Sequence, residues 1–481
     1  MFSELTGQSA TVFVTRSEEN YSGAQASSQS VSRSNPPPLS ITRNFLWTLA
    51  GNLIAAGCQW GIIVMLAKLA STTLVGEFAL ASAIAVPIAF VSDFRLRVLF
   101  VTDAVGKYPL REMLGLRFLL AGISTISILG VCEIAHYKTS TAIVVFIVGI
   151  AQMIDSISDN FYGKFQREER MDRIAKSIVA RHALSATFFT AALYTTGKLL
   201  PAVCGMVLGR GLVLLSYDAR IGPIEPNMSS QEIGRFIRKS TYLSCLRPRW
   251  NFRRQLQMLW MALPLAITAV LVSVNGYIPR YVLARFLGHR ELGIYAAISY
   301  IQSGCYMVTV ALGYAVFARL SKLFAKGDLA GFKLLVMKTA SIYGALGVAG
   351  FGLSAIAGRQ VLTIVYRPEY AEHVELLRWL MIAGIVQCLS TAMQAGLTAA
   401  CQFRIQVPLF AGVTAVSLIA CIVLVPRLGL TGAAVAVLIS SGIQLCASTS
   451  LVLRMMFKRA RELQAKDSSQ LQPALEVPVS P

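Results

Sequence analysis

Twelve apolar runs, each about as long as one membrane crossing, fill most of this sequence and leave little from which to build anything else. They lie near 42–68, 75–100, 113–135, 140–163, 174–197 and 199–217, then near 255–283, 291–317, 333–357, 374–400, 405–425 and 430–456. About 20 apolar residues make a helix that spans the hydrocarbon core. In lipid, only a helix or a closed barrel satisfies its own backbone. Of the 481 residues 55% are hydrophobic and 14% charged, whereas a soluble chain carries roughly 25% charged residues. The expectation is an all-α integral membrane protein of twelve transmembrane helices, with no core left over for a large extramembrane enzyme domain.

The charges report how such a chain is oriented. A net charge of +20 would point to nucleic acid in a soluble protein. If the N-terminus is cytoplasmic, 31 of the Lys and Arg residues fall on the cytoplasmic side and 9 on the other. That asymmetry fits an even number of spans with both termini cytoplasmic, so no nucleic-acid partner is expected. Residues 1–40 are rich in polar residues, end in Pro36-Pro37-Pro38 and lack an apolar h-region, which reads as a disordered cytoplasmic tail. Residues 218–252 mix Ile233, Phe236, Ile237, Leu243 and Leu246 with Arg235, Arg238, Lys239, Arg247 and Arg249. This reads as a basic amphipathic linker on the cytoplasmic face, held to anionic lipid or docking another membrane protein. Residues 458–481 form a second charged cytoplasmic tail. The nine cysteines make no CxxC pair and sit mostly in apolar runs, as small hydrophobes. No metal or cofactor is expected.

The runs come in two related sets. Leu66 to Ile84 aligns without gaps to Leu283 to Ile301, with Leu66/Leu283, Ala67/Ala284, Gly76/Gly293, Ala79/Ala296, Ser82/Ser299 and Ile84/Ile301 identical. These are the first-to-second and seventh-to-eighth span connections. An even number of spans separates them, so they share one orientation. This predicts two parallel six-helix lobes, 41–217 and 253–457, related by an axis along the membrane normal.

Several stretches resemble the polysaccharide exporters, the lipid-linked oligosaccharide flippases. They are Asn44-Phe45-Leu46-Trp47 through Gly76-Glu77-Phe78-Ala79-Leu80, Ala85-Val86-Pro87 to Leu96-Arg97 and Thr102-Asp103, Val361 to Tyr366 with Pro368-Glu369-Tyr370, and Pro426-Arg427-Leu428-Gly429-Leu430-Thr431-Gly432-Ala433-Ala434. That family belongs to a superfamily that also holds multidrug and toxin extruders and lipid II flippases. The resemblance implies a two-lobed, alternating-access transporter, not an enzyme. It also implies a monomer in the bacterial inner membrane that moves an undecaprenyl-pyrophosphate-linked repeat unit for O-antigen or exopolysaccharide assembly, among other polysaccharide-assembly membrane proteins. The extruder branch tends to carry an acidic residue in its first span, and the run 42–68 has none, only Asn44, Asn52 and Gln59. The alternatives are a cation-coupled multidrug antiporter and a membrane-embedded polymerase or acyltransferase.

Intramembrane charge marks the candidate site, because burying an ion in lipid is expensive. Arg117, Arg181, Arg210 and Arg378 fall within apolar runs, while Lys68, Arg280 and Arg285 lie at span ends. A lumen with more Arg than carboxylate suits an anionic cargo, and the planar fork of Arg grips phosphate. The candidate cavity cations are therefore Arg210, Arg181, Arg117 and Arg378, with Lys68 and Arg285 at equivalent repeat positions as a symmetric gate or as two anchors. Each could instead snorkel to the interface. Asp155 and Asp159, one turn apart on one helix face, are candidate coupling-ion or proton ligands, or else partners of Arg167, Arg181 or another cation. Asn52, Gln59, Asn275, Gln302, Gln387 and Gln394 could bind sugar hydroxyls or join neighbouring helices. There is no HExxH, GxSxG or Walker A motif.

Overall fold

Ser40 opens the first helix by accepting a hydrogen bond from the Arg43 amide, and Ser71, Asn251 and Asp328 cap later helices in the same way. In the computed structural model, which describes residues 40–103, 108–221, 248–400 and 403–471, every described element is a helix. In order they are α1 (Ile41–Leu69), α2 (Thr72–Asp93), the short α3 (Leu96–Thr102), α4 (Leu110–Ile134), α5 (Thr139–Arg167), α6 (Met171–Thr196) and α7 (Leu199–Val213), which runs on into a π turn at Leu214–Asp218. Then come α8 (Phe252–Phe286), α9 (Gly288–Lys326), α10 (Leu329–Val365), α11 (Val374–Ala399) and α12 (Phe403–Leu471). The expected N-terminal tail and most of the 218–252 linker lie outside the described residues.

Among the described residues, nine helices are long and apolar enough to cross a membrane. The chain is thus a multi-pass membrane protein. α6 and α9 are not among the nine; α6 carries Asp172, Arg173, Lys176 and Arg181 along its length. α12 is one 69-residue element in name only. Gly429 breaks it with φ 62 and ψ −134, a backbone state that costs glycine little. A Cβ on Gly432 would overlap the Leu424 carbonyl, although eight residues of straight helix would hold them about 12 Å apart. The chain therefore folds back on itself there, as the separate runs 405–425 and 430–456 anticipate. Among the described residues, six long helices precede residues 222–247, and six long helical segments follow them beside the single turn Pro368–Ala371.

Two expectations need correction. α8, α9 and α10 have 35, 39 and 37 residues, longer than their apolar runs. Each exceeds 50 Å at about 1.5 Å per residue, so they stand proud of a hydrocarbon core roughly 30 Å thick. Arg319, Lys322 and Lys326 end the apolar run but continue the helix, because Lys and Arg are good helix formers. For the same reason α12 stays helical past 457 to Leu471, through residues read as a tail.

The lobes share their largest core at one end. The largest apolar cluster runs continuously from Leu66, Leu80 and Val145 through Leu283, Tyr295 and Ile298 to Tyr370 and Leu380, and so belongs to both. These residues lie toward the ends of α1 and α8, the face opposite the N-terminus. Nearer the N-terminal face the clusters are smaller, and one of them still crosses the lobes, packing Leu96, Phe100, Met113 and Leu116 against Met258 of α8. Of the others, one is made by Leu320, Phe332, Tyr343 and Val452, another by Phe161, Tyr162, Phe165 and Ile174. At the join, α2 crosses α9 at Gly76 and Gly293. A Cβ on Gly76 would overlap the His289 carbonyl, and one on Gly293 the Thr72 carbonyl. Those four residues form two equivalent pairs in the internal repeat, so the crossing sits where a two-fold axis between the halves would pass. Bare glycine lets the backbones touch.

Candidate functional site

Arg117 is the most completely buried of the intramembrane cations, with no exposed side-chain surface. It is also fully engaged. Its guanidinium donates to the Asp93 carbonyl at 3.0 Å and the Asp93 carboxylate at 2.8 Å, to Ser156 Oγ at 2.8 Å and to Asn160 Oδ1 at 3.0 Å. The carbonyls at the end of α2 have no partner of their own within the helix, and here a cation supplies one, with the favourable dipole sense. The next two residues, Phe94 and Arg95, take left-handed backbone at φ 43 and 52, an uncommon and costly state for residues with a side chain. Arg117 thus holds the break that turns α2 into α3. It does not line the cavity described next.

That break places Arg97 on α3 at a cavity of about 530 Å³ enclosed by α1, α3, α5 and α6 and touched by Ser303 of α9. Its size is that of a small-molecule site. α1 contributes a polar-lined wall of Thr48, Asn52 and Gln59 among apolar side chains, and α5 and α6 contribute Asp155, Asp159, Tyr162, Arg181 and His182. Asp155 is clamped by two cations, accepting from Arg181 at 2.9 Å and from Arg210 at 2.5 Å. Asp159 accepts from Arg97 at 3.0 Å and meets Arg117 at 3.5 Å. The Tyr162 ring lies 5.1 Å from the Arg181 guanidinium and 5.7 Å from that of Arg97, close enough for cation–π attraction. Its hydroxyl meets Ser177 Oγ at 2.7 Å, and Ser177 donates to Asp218 at 2.6 Å.

The sequence-based candidates therefore divide. Arg181 lines this cavity and Arg210 reaches it through Asp155. Asp155 and Asp159 also line it, paired with arginines, which is the second of the two roles their spacing allowed. Arg378 is exposed on α11 and donates to the Ala355 carbonyl at 3.3 Å, and Lys68 and Arg285 are exposed in the last turns of α1 and α8. Those three lie outside the cavity and complement the negative ends of helix dipoles or follow the surface. The expected excess of cations is smaller than the apolar runs suggest. Four guanidiniums (Arg97, Arg117, Arg181 and Arg210) face three carboxylates (Asp93, Asp155 and Asp159).

Sequence reasoning placed Arg280 at a span end and did not count it among the cavity cations. The structure sets it in a second cavity of about 340 Å³ within the C-terminal lobe, which meets the first at Ser303. Arg97 was also passed over, because it falls outside strictly mid-run positions. The signal that could have found it is its place beside Phe94-Arg95, between two apolar stretches. On the far side of the seam the lobes are closed by Trp60, which donates to the Tyr366 hydroxyl at 3.2 Å, while Tyr366 donates to the Ala297 carbonyl at 2.7 Å. Arg367 donates to the Lys68 carbonyl and Tyr281 to the Ala83 carbonyl.

No family model matches the chain. A capsular polysaccharide biosynthesis protein, CapF, of Staphylococcus aureus is 22% identical over 410 residues, which is 84% of this chain and 97% of that one. Among solved structures, an inward-facing multidrug resistance MATE family transporter of the MOP superfamily matches with a TM-score of 0.60 at 13% identity, covering 90% of this chain and 97% of its own. A MOP superfamily transporter from Pyrococcus furiosus, described as having a binding pocket of reverse polarity, matches with a TM-score of 0.58 at 12% identity over 87% of this chain and 96% of its own. The fold is that of the MOP superfamily transporters, and the resemblance to polysaccharide exporters read from the motifs is borne out.

Proposed function

We propose that this chain exports a lipid-linked oligosaccharide, an undecaprenyl-pyrophosphate-linked repeat unit, across the bacterial inner membrane for surface polysaccharide assembly. The arrangement that carries this reading is the doubly clamped carboxylate, with Asp155 held between Arg181 and Arg210 at the edge of the first-lobe cavity that meets the second lobe at Ser303. An arginine fork donates to carboxylate and phosphate alike. Asp155 keeps a quarter of its side chain exposed, so an arriving pyrophosphate can compete with it for the same two guanidiniums. Until then the carboxylate saves them the cost of unpaired burial. The 22% identical capsular relative supports a polysaccharide cargo over a drug. Asp155 and Asp159 both have arginine partners, so nothing favours a free acidic pair of the kind a cation-coupled drug antiporter would need.

In this reading both termini are cytoplasmic, the lobes part toward the cytoplasm, and a single chain works by rocking them about the Gly76–Gly293 crossing. Cells whose own exporter is deleted and replaced by this chain test it. Arg181→Ala and Arg210→Ala are each expected to lower export of the repeat unit at least tenfold, since one charge-assisted hydrogen bond is worth about 1.5–3 kcal/mol. Membrane levels of the protein should hold, because in each single variant Asp155 keeps its other arginine. Arg→Lys at either site keeps the charge but not the fork and should restore export only in part. Wild-type export by both alanine variants would overturn the site.

A further inference from the structure

The cavity of the C-terminal lobe differs in chemistry from its neighbour. Its walls are α8, α9, α11 and the two arms of α12, and they present hydroxyls and carboxamides, including Gln302, Gln387 and Gln394. Among the residues lining it, Arg280 is the only charged one. In the first cavity each arginine has a carboxylate. Here, no ion pair to Arg280 occurs among the described residues. Arg280 is 8% exposed, and its guanidinium lies 5.0 Å from the Tyr277 ring and 5.3 Å from the Tyr300 ring. Aromatic faces attract a cation without cancelling its charge. Its Nη1 has no hydrogen-bond partner, and neither has Asn275 Oδ1 in the same cavity. A buried guanidinium donor left unsatisfied is costly and calls for an explanation. An anionic ligand arriving at the cavity supplies one.

Resting on the proposal that the cargo is a glycan, we propose that the Arg280 cavity is a second subsite that recognises an acidic sugar, a hexuronic-acid residue whose carboxylate pairs with Arg280 while its hydroxyls bind the surrounding carboxamides. One uncompensated cation matches the single negative charge of a uronate better than the double charge of a pyrophosphate. The many neutral donors and acceptors match a ring of hydroxyls. The Tyr277 and Tyr295 rings, which line the cavity, give apolar area for a sugar face. Ser303, which borders both cavities, is where the glycan would pass from the phosphate clamp to this subsite. The subsite makes the transporter selective for repeat units carrying an acidic sugar.

The test is a comparison of two disaccharides of nearly equal shape, cellobiuronic acid and cellobiose, titrated against the purified full-length protein in detergent. Wild-type protein is expected to bind the acid at least tenfold tighter, about 1.4 kcal/mol. In Arg280→Gln that preference should fall to within twofold, with the melting temperature followed in parallel. Arg280→Lys, should the glutamine variant not fold, is expected to lose at least threefold of the preference. Gln394→Leu is expected to weaken both sugars and leave their ratio alone. Inorganic pyrophosphate is not expected to displace the acid. Equal binding of the two sugars by wild-type protein, no binding of the acid, an unchanged preference in the Arg280 variants, or displacement by pyrophosphate would each overturn the subsite. The sugar preference can fail while export still depends on Arg181 and Arg210, and the reverse can also occur, so the two proposals are separable.

Discussion

Arg117 and Arg378 look alike in sequence, each a lone cation in an apolar run, yet they face opposite environments. Arg117 ties α2, α4 and α5 through Asp93, Ser156, Asp159 and Asn160. Arg378 is exposed and donates to the Ala355 carbonyl. Breaking a buried pair by removing one partner costs about 3–5 kcal/mol. Arg117→Leu is therefore expected to lower the melting temperature of the detergent-purified protein sharply, while Arg378→Leu leaves it within error. Equal melting of the two variants would contradict the structural role given to Arg117. This contrast was not legible in the sequence. Hydropathy reports that a cation lies within a span, but its partners come from other helices whose rotation the chain order does not disclose. Asp155 and Asp159 were more legible, because their spacing alone puts them on one face. Which arginines they meet was not. Arg280 was missed for a related reason: distance along the helix from its end says nothing about whether the lobe closes around it.

At the scale of elements, the apolar runs located the helices well and their ends poorly. α8, α9, α10 and α12 extend past the runs because helix propensity and hydropathy stop at different residues, Lys and Arg satisfying the first and ending the second. α6 shows the converse. Its Arg181 and His182 line the cavity rather than facing lipid, so its composition understates its place in the bundle. The internal repeat proved informative at one residue pair. Gly76 and Gly293 align with each other and also touch across the lobes. Gly76→Ala puts a methyl group into the His289 carbonyl, and overpacking of this kind costs about 1–3 kcal/mol. Gly57 on α1 has nothing within 4 Å of its added Cβ, and there alanine gains about 1 kcal/mol of helix propensity. Thermal unfolding should show Gly76→Ala less stable than the parent and Gly57→Ala no less stable. The opposite order would remove the crossing as the contact that holds the lobes.

In the whole molecule, a large core continuous through both lobes at one end gives way to smaller clusters at the other, where a cavity opens in the first lobe and meets the second at Ser303. Trp60, Tyr281, Tyr366 and Arg367 bridge the closed end. At the other end Arg254 pairs with Glu112 at 3.2 Å, and Gln255 donates to the Glu112 carbonyl at 3.2 Å. α8 is thus anchored to the first lobe along its length, while α1 borders the cavity. Movement of cargo through that cavity can be measured in liposomes that contain purified full-length protein and an undecaprenyl-pyrophosphoryl oligosaccharide, with a soluble glycosidase outside to report glycan that reaches the outer leaflet. Wild-type protein is expected to expose the whole glycan pool, and the Arg181→Ala/Arg210→Ala protein no more than protein-free liposomes. Wild-type protein that exposes no more than the protein-free control, or a double variant that matches wild type, would contradict transport through this site.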